Sequence, residues 1–256
     1  MTCYFLDITA EGPPGEAWLN GVPVTRVAPE PGETFRAVLP LSAHLLPGAN
    51  QLELRLDLGP TPGRALEPHA PGGPSSGSAR IVTCPGPDFD HEAVRPLDQL
   101  DWGDPPLTAA PEVRRLDFTL SGDRPVPLWA RLEPLAALDG LAEHVAELQA
   151  MLDRSDIAAL IASRRLSLDE VERAGGHSAV VVERSLREFL AGILPSKSVT
   201  PPLPSEQWDL RPVAGGRLVD VIATDWMPVV RRGEPPQVTA IALRLGRLHG
   251  RWVHVI

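Results

Sequence analysis

Acidic, aromatic and histidine side chains cluster near two predicted strands of the C-terminal half. Asp220 lies within one strand, Asp225 and Trp226 follow it, and His249 and His254 flank the last strand. On a curved sheet, inward-facing members of this group would line a pocket, with a carboxylate as general base and a histidine as general acid. Asp220 can equally be a partly buried, hydrogen-bonded residue, because both faces of its strand are apolar. We favour that structural role and keep Asp220, Asp225 and His254 as candidate catalytic residues.

A second group of ligand-type side chains lies in the stretch Asp88-Phe-Asp90-His91-Glu92. Oxygen ligands at positions i and i+2 of an extended loop can point to one side and suit a hard cation. The stretch lacks the EF-hand spacing and its turn glycine, so a solvated acidic loop is the better interpretation. We therefore expect no metal site here and no cofactor in the protein.

Trp102, in the acidic segment LDWGDPP, is the candidate ligand-binding residue of the N-terminal half. An exposed indole ring can stack against a bound ligand, although such a ring can also pack on the domain and anchor its loop there. Trp18 lies instead in an alternating strand, so core packing is its better interpretation.

The sequence lacks the patterns of several function classes. Ser-His-Asp and Cys-His nucleophile arrangements, glycine-rich phosphate loops and paired-cysteine metal motifs are all absent from it. Residues 167–190, with Arg184 and Arg187, have the outline of a helix-turn-helix. The second helix of this outline begins SAVVVE, whereas a DNA-reading helix needs polar residues in its first turn. We expect no nucleic-acid partner.

Charge and composition set further limits. The formal net charge is −9, and residues 1–125 carry 17 acidic and 9 basic side chains against 16 and 15 in the remainder. An acidic N-terminal half disfavours contacts to phosphates. No apolar run approaches about 18 residues and the N-terminus has no signal-peptide pattern, so we expect a cytoplasmic protein without a membrane partner. With Lys197 as the only lysine, the 29 prolines indicate GC-rich, bacterial coding.

The sequence contains two cysteines, Cys3 and Cys84. They could form a disulfide if their strands are neighbours in a sheet. In a cytosolic protein, two free, buried thiols are the better expectation.

The elements of the first half follow from apolar residues that alternate every two positions, which predicts half-buried strands. In Gln51–Leu58 the leucines occupy one face and polar residues the other, as in an antiparallel sheet with one wet face. The predicted strands are Cys3–Thr9, Ala17–Leu19, Val22–Thr25, Thr34–Leu39, Gln51–Leu58, Ala79–Thr83 and Val113–Leu120, with irregular loops at 59–78 and 84–112.

From Leu132 the apolar period becomes that of a helix. The first predicted helix contains the apolar stripe Leu138–Leu152, and the second is Asp156–Arg164 with Ser155 as its N-cap. A third helix begins at the capping box Ser167–Glu170. The fourth is Ser178–Leu194, with inward-facing Val182, Leu186, Phe189 and Ile193. Strands follow at Gln207–Pro212, Arg217–Thr224, Gln237–Leu245 and Arg251–Ile256. Helices followed by a meander are typical of an α+β domain. We therefore predict two domains, an antiparallel β-sandwich at 1–124 and an α+β domain at 130–256.

The segment Trp18-Leu19-Asn20-Gly21-Val22, followed by Leu46-Pro47-Gly48-Ala49-Asn50-Gln51-Leu52, resembles the galactose-binding-like jelly-roll modules attached to many glycoside hydrolases. Both turns also make physical sense, because Asn-Gly tolerates the positive φ of a tight hairpin and the Asn50 side chain can cap its turn. The resemblance implies a jelly-roll fold for residues 1–60 and up to 122. It leaves the ligand open, since many such modules bind no sugar.

The C-terminal half is similar to the cone-shaped α+β fold shared by nuclear transport factor, ketosteroid isomerase and scytalone dehydratase. The likeness lies in helices that precede a curved meander and in the ending His249-Gly250-Arg251-Trp252-Val253. It implies a fold and not catalysis, because no recognisable acid/base set accompanies it.

Two function hypotheses follow. The favoured one is a non-catalytic binding or assembly protein, in which the sandwich recognises a protein or a carbohydrate-like ligand through the loops at 59–112. The alternative is a small-molecule lyase or isomerase with a pocket in the C-terminal domain. A deep apolar pocket that holds Asp220 or Asp225 beside a histidine would favour the enzyme.

Overall fold

A computed structural model gives the fold of the chain. It describes residues 2–12, 14–27, 33–56, 76–103, 112–193, 203–223, 228–232 and 239–255. These residues form five helices and four antiparallel sheets, which place the protein in the β-rich α+β class. The chain divides into two compact units, Met1–Pro127 with Arg173–Gly176, and Leu128–Glu172 with His177–Ile256. No described helix is both long and apolar enough to cross a membrane.

Eight strands build the first unit. They are β1 (Cys3–Glu11), β2 (Gly15–Leu19), β3 (Val22–Val27), β4 (Phe35–Pro40), β5 (Gly48–Leu56), β6 (Ser76–Cys84), β7 (Arg95–Trp102) and β8 (Glu112–Leu120). They pair into two four-stranded sheets with the orders β4-β1-β6-β7 and β3-β2-β5-β8. Both sheets contribute to one buried core, with Leu6 and Ile81 from the first sheet and Leu52 and Phe118 from the second. The period-two pattern of the sequence therefore places its apolar side chains on the inner faces.

Two asparagine side chains join the turns that the sequence singles out. Asn20 (φ 54°) and Gly21 (φ 77°) occupy the left-handed region that a two-residue hairpin requires. The Nδ2 of Asn20 donates to Asn50 Oδ1 at 2.8 Å. The Nδ2 of Asn50 donates to the carbonyls of Leu46 at 3.0 Å and Gly48 at 2.8 Å, and the Leu46 N–H donates back to Asn50 Oδ1 at 2.8 Å. The predicted capping role of Asn50 is confirmed by these bonds.

Strand β7 lies inside the segment 84–112, so the prediction of an irregular loop is wrong for Arg95–Trp102. Its sequence, RPLDQLDW, does not show the alternating pattern of a strand, because a proline and two aspartates interrupt the apolar positions. The strand lies at the edge of its sheet, and its pairing with β6 contains a register shift between Ile81 and Val82. Edge strands and bulges are the positions where a sheet tolerates proline.

Five helices begin the C-terminal half: α1 (Leu128–Arg131), α2 (Leu141–Asp153), α3 (Ile157–Ser163), α4 (Arg165–Arg173) and α5 (Ala179–Ile193). The N-cap of α3 is Asp156 rather than the predicted Ser155, since Asp156 Oδ1 accepts the N–H of Ala159 at 3.0 Å. Ser167 lies within α4 rather than before it and donates its hydroxyl to the carbonyl of His254 at 2.7 Å, so the predicted capping box is also wrong.

Six strands follow the helices: β9 (Trp208–Val213), β10 (Leu218–Ala223), β11 (Val230–Arg232), β12 (Thr239–Ile241), β13 (Leu243–Leu248) and β14 (Arg251–His254). Four of them form a sheet in the order β14-β13-β10-β9, and β11 pairs with β12. Val219, Val221 and Leu245 of the sheet share a core with Leu148 of α2 and Leu160 of α3. One face of the sheet is therefore covered by helices, as the 3.6-residue period of their apolar positions requires.

Candidate functional site

Asp220 lies on β10 and is paired with Arg244 of the neighbouring strand β13. Its Oδ1 accepts from Arg244 Nε at 2.7 Å and its Oδ2 from Nη2 at 3.1 Å, which is a bidentate ion pair. Val219 and Val221, the sequence neighbours of Asp220, belong to the helix-covered core. Because side chains alternate along a strand, Asp220 and its arginine lie on the other face of the sheet.

His254 lies on β14 and faces the helix-covered core. It is 3 % exposed and is the cross-strand partner of Leu245, which in turn is the partner of Val219. Directly opposed residues share a face of the sheet, so His254 and Asp220 lie on opposite faces. The structure does not bring this carboxylate and this imidazole together.

A second imidazole lies close to His254. The ring of His144 on α2 has its centroid 6.2 Å from that of His254. Burial lowers the pKa of His254 to about 3, and the charges of Arg164 and His144 act in the same direction. Burial also lowers the pKa of His144, against the smaller opposing effect of Glu147. Both rings are therefore neutral at pH 7, and neither Nε2 has a hydrogen-bond partner among the described residues.

Of the remaining candidates, the structure describes His249 and Trp102. Asp225 and Trp226 are outside the described residues, and His249 (φ 52°) sits in the turn between β13 and β14. Trp102 belongs to the core of the first unit and is 6 % exposed. Its ring packs so closely on Gly77 that a Cβ there would lie 2.3 Å from Trp102 Cζ2. The ring thus lies in the core and offers no open face for stacking.

The acidic loop is organised by its own backbone. Asp90 Oδ1 accepts the N–H of Glu92 at 2.9 Å, and the Asp90 carbonyl accepts the N–H of Ala93 at 3.2 Å. His91 packs edge-on against Phe89, with 4.8 Å between the ring centroids. Across the described ranges, no three His, Cys, Asp or Glu side chains are placed to hold a metal ion.

An apolar groove in the second unit is lined by residues of α3 and α5 and by the chain around β12. Its volume is about 160 Å³, and its lining residues are Leu160, Arg164, Leu186, Phe189, Leu190, Ala240, Ile241 and Ala242. Pockets that enclose whole small molecules measure about 300–1,000 Å³. The groove therefore has room for one large apolar side chain rather than for a complete small-molecule substrate.

Arg164 places a charge in this apolar groove. The residue follows the end of α3 and donates through Nη2 to the carbonyl of Ala242 at 3.2 Å. Burial lowers its pKa, and it forms no ion pair with any carboxylate that the structure describes. The next residue, Arg165, instead pairs with Asp169 at 2.9 Å and with Glu183 at 3.2 Å. Two adjacent arginines thus differ sharply in whether a carboxylate balances their charge.

Phe189 borders the groove and is 60 % exposed, so the prediction that it points inward is wrong. Residue 189 lies about 100° around the helix from Leu190, which places its ring beside the core rather than in it. Among the described side chains of α5, Ala179, Val182, Leu186 and Leu190 pack on the core. The predicted inward position of Ile193 lies outside the described side chains.

Neither the role of Arg164 nor the exposure of Phe189 is predicted from the sequence. The sequence does distinguish Arg164 from Arg165. Arg165 has an acidic residue four positions later, Asp169, with which it can pair on one helix face. The positions three and four residues from Arg164 hold only Leu160, Ile161, Ser167 and Leu168. The sequence therefore shows a helical carboxylate partner for Arg165 and none for Arg164.

This arrangement can bind an apolar group that carries a carboxylate, because the guanidinium and the apolar walls lie within one groove. No protein-family model matches the chain, and no match is found among curated proteins or among solved structures.

Proposed function

We propose that this chain is a non-catalytic binding or assembly protein that docks a segment of a partner protein in the groove at Arg164 and Phe189. The observation that carries the proposal is the Arg164 guanidinium, which lines an apolar groove without a described carboxylate partner. A partly buried, unpaired cation is unfavourable in the free protein. A carboxylate brought by a partner would relieve that cost, so the charge supplies both affinity and selectivity.

The partner segment has a large apolar residue next to an aspartate or glutamate. The volume of about 160 Å³ accommodates one anchor side chain, and binding energy at protein interfaces concentrates on such anchors. The exposed ring of Phe189 extends the apolar surface to the rim of the groove. Apolar contact around a single ion pair excludes water from it, which strengthens the pair.

For the first unit we propose the jelly-roll arrangement of galactose-binding-like modules, supported by two antiparallel sheets over one core and by the Asn20 and Asn50 turns. For the second unit we propose the cone-shaped fold of nuclear transport factor, supported by helices that precede a four-stranded antiparallel sheet. A ligand at the 59–112 loops stays a prediction, because residues 57–75 and 104–111 are outside the described part of the chain.

No observation on the described residues favours the lyase or isomerase hypothesis. Asp220 is held by Arg244 on the opposite sheet face from His254, and the groove is lined by neither Asp220 nor His254. The enzyme hypothesis stays untested for Asp225.

Selection from a random peptide library displayed on phage tests the proposal. The full wild-type chain is the only bait, and the selected peptides are afterwards titrated against wild type and the Arg164→Met variant. We expect the retained peptides to share a large apolar residue beside Asp or Glu. Their affinity should fall about tenfold or more in Arg164→Met, which corresponds to about 1.4 kcal/mol.

The matched control is Arg165→Met, which removes the neighbouring arginine that already has two carboxylate partners. We expect it to leave peptide affinity nearly unchanged, whereas Phe189→Ser should weaken binding. Peptides without an acidic residue, or equal losses in the two arginine variants, would overturn the proposal.

A further inference from the structure

Cys3 and Cys84 stand opposite each other on neighbouring strands. Cys3 begins β1, Cys84 ends β6, and the two are direct cross-strand partners. Both are free thiols, and each is 2 % exposed. They share a small buried cluster with Phe5 and Val82, so their side chains lie on the same face of the sheet.

The strand pairing places the two Cα atoms at a separation that a disulfide can span. Directly opposed residues of an antiparallel pair have Cα atoms about 4.5–5.5 Å apart, and disulfides span Cα separations of about 4.4–6.8 Å. The Cα separation of the pair therefore permits a bond between the two sulfurs. In the reduced protein, Cys3 Sγ donates to the carbonyl of Gly175, in the same compact unit, at 2.8 Å, and Cys84 Sγ donates to the carbonyl of Asp90 at 3.8 Å.

A cavity of about 410 Å³ borders Cys84, one member of this pair. Cys84 lines it together with Thr2, Thr83, Pro85, Glu92, Ala93, Val94 and Arg95. Hydrogen peroxide is little larger than water, so it fits easily in a space of this size. The loop that carries Asp90 also supplies Glu92 and Ala93 to the cavity wall, so the thiol of Cys84 is bonded to the loop that forms part of that wall.

We propose that Cys3 and Cys84 form an oxidisable dithiol site that a peroxide converts into an intramolecular disulfide. The Cys84 thiolate attacks one peroxide oxygen, the O–O bond breaks, and the leaving oxygen takes a proton to become water, which gives a sulfenic acid. The Cys3 sulfur then attacks the Cys84 sulfur, and the hydroxyl group leaves as a second water with the proton of the Cys3 thiol. The dithiol loses two electrons and two protons, and the peroxide is reduced to two waters.

Oxidation changes the cavity because it removes both thiol donors. The Asp90 carbonyl loses its bond to Cys84, and residues 85–93 lose one attachment to β6. Burial raises the pKa of Cys3, so its reactive thiolate is scarce at neutral pH and disulfide formation should accelerate as the pH rises.

Peroxide treatment of the full chain tests the site. The reaction is stopped by alkylation and followed by intact mass and by tryptic mapping without reductant. We expect the mass of two hydrogens to be lost, no alkylated thiol to remain, and the peptide 1–26 to be linked to the peptide 81–114, since Pro96 blocks cleavage after Arg95. Hydrogen exchange at the Ala93 amide, which bonds the Asp90 carbonyl, should be faster in the oxidised protein.

The control is the same chain unfolded in urea, in which the two thiols are not held together. The folded chain should form the linked peptides many-fold faster than the unfolded chain, because the strand pairing supplies a high effective concentration. Two free thiols in the folded protein under conditions that cross-link the unfolded chain would overturn the dithiol site. Unchanged exchange at Ala93 after oxidation would overturn its effect on the cavity wall.

Discussion

Arg164 and Arg165 are adjacent in the sequence but differ in what surrounds their charges. Arg165 is paired with Asp169 and Glu183, whereas Arg164 has the Ala242 carbonyl and the apolar walls of the groove. A charge in apolar surroundings lowers stability unless an opposite charge compensates it. Proteins keep such unfavourable groups chiefly where function requires them. The proposed docking function therefore depends on this one side chain.

Replacing Arg164 by Met keeps a long apolar stem and removes the charge. We expect the free energy of unfolding to stay unchanged or to rise by up to about 2 kcal/mol, because an unpaired, partly buried cation is removed. Urea unfolding of the variant beside wild type measures the difference. Arg165→Met, the matched control, should lose about 0–1 kcal/mol because its ion pairs are exposed. A loss above about 2 kcal/mol in Arg164→Met would assign the guanidinium a structural role instead.

Buried His254 should make stability depend on pH. Its pKa is about 3 in the folded protein against 6.5 for an ordinary histidine. The unfolded chain thus binds the proton first, so stability that is fully present above pH 6.5 is lost as the pH falls toward 3. Urea unfolding at about pH 7 and pH 5 should show a loss about 2 kcal/mol larger in wild type than in His254→Phe. The neighbouring His144 adds to the loss in both proteins, and equal losses would contradict a neutral, buried His254.

Local sequence patterns account for most elements of the first unit, and long-range contacts account for what they missed. The burial of the β5 leucines follows from the two-residue apolar period, and the Asn20-Gly21 turn follows from the tolerance of these two residues for positive φ. Strand β7 does not, because Pro96 and its two aspartates break the pattern and pairing with β6 positions it. The surroundings of Arg164 depend on Ala242, 78 residues away, so no local window could reveal the groove.

The Asn50 side chain should hold the turn before β5 together. Asn50 is 4 % exposed and its amide satisfies backbone groups of Leu46 and Gly48 as well as Asn20. Asn50→Ala leaves these buried groups unpaired, so we expect a loss of about 3 kcal/mol in the free energy of unfolding. Gln51→Ala, next to it on the exposed face, should lose no more than about 1 kcal/mol. Equal losses in chemical denaturation would show that the turn does not depend on the asparagine.

The whole molecule consists of two compact units, each with its own buried cluster. The first cluster is formed by strands of two sheets, and the second by helices against one sheet. A unit with a complete core can fold alone, which is the physical content of the two-domain prediction.

Expression of residues 128–256 as a separate fragment tests that prediction. We expect a helical circular dichroism spectrum and a cooperative thermal transition, because the helices and their sheet lie within this segment. The full chain measured under the same conditions is the reference. A fragment that is unfolded, or that melts without cooperativity, would mean that the two halves need a shared core.

The most direct test of the docking proposal is a double-mutant cycle between Arg164 and the carboxylate of a selected peptide. The full chain and its Arg164→Met variant are each titrated with the peptide and with its Asp→Asn or Glu→Gln form. A direct ion pair predicts a coupling free energy of about 1.4 kcal/mol or more, and the same cycle at Arg165 predicts a value near zero. Coupling near zero at Arg164, or equal coupling at the two arginines, would contradict the proposal that this groove binds an acidic partner.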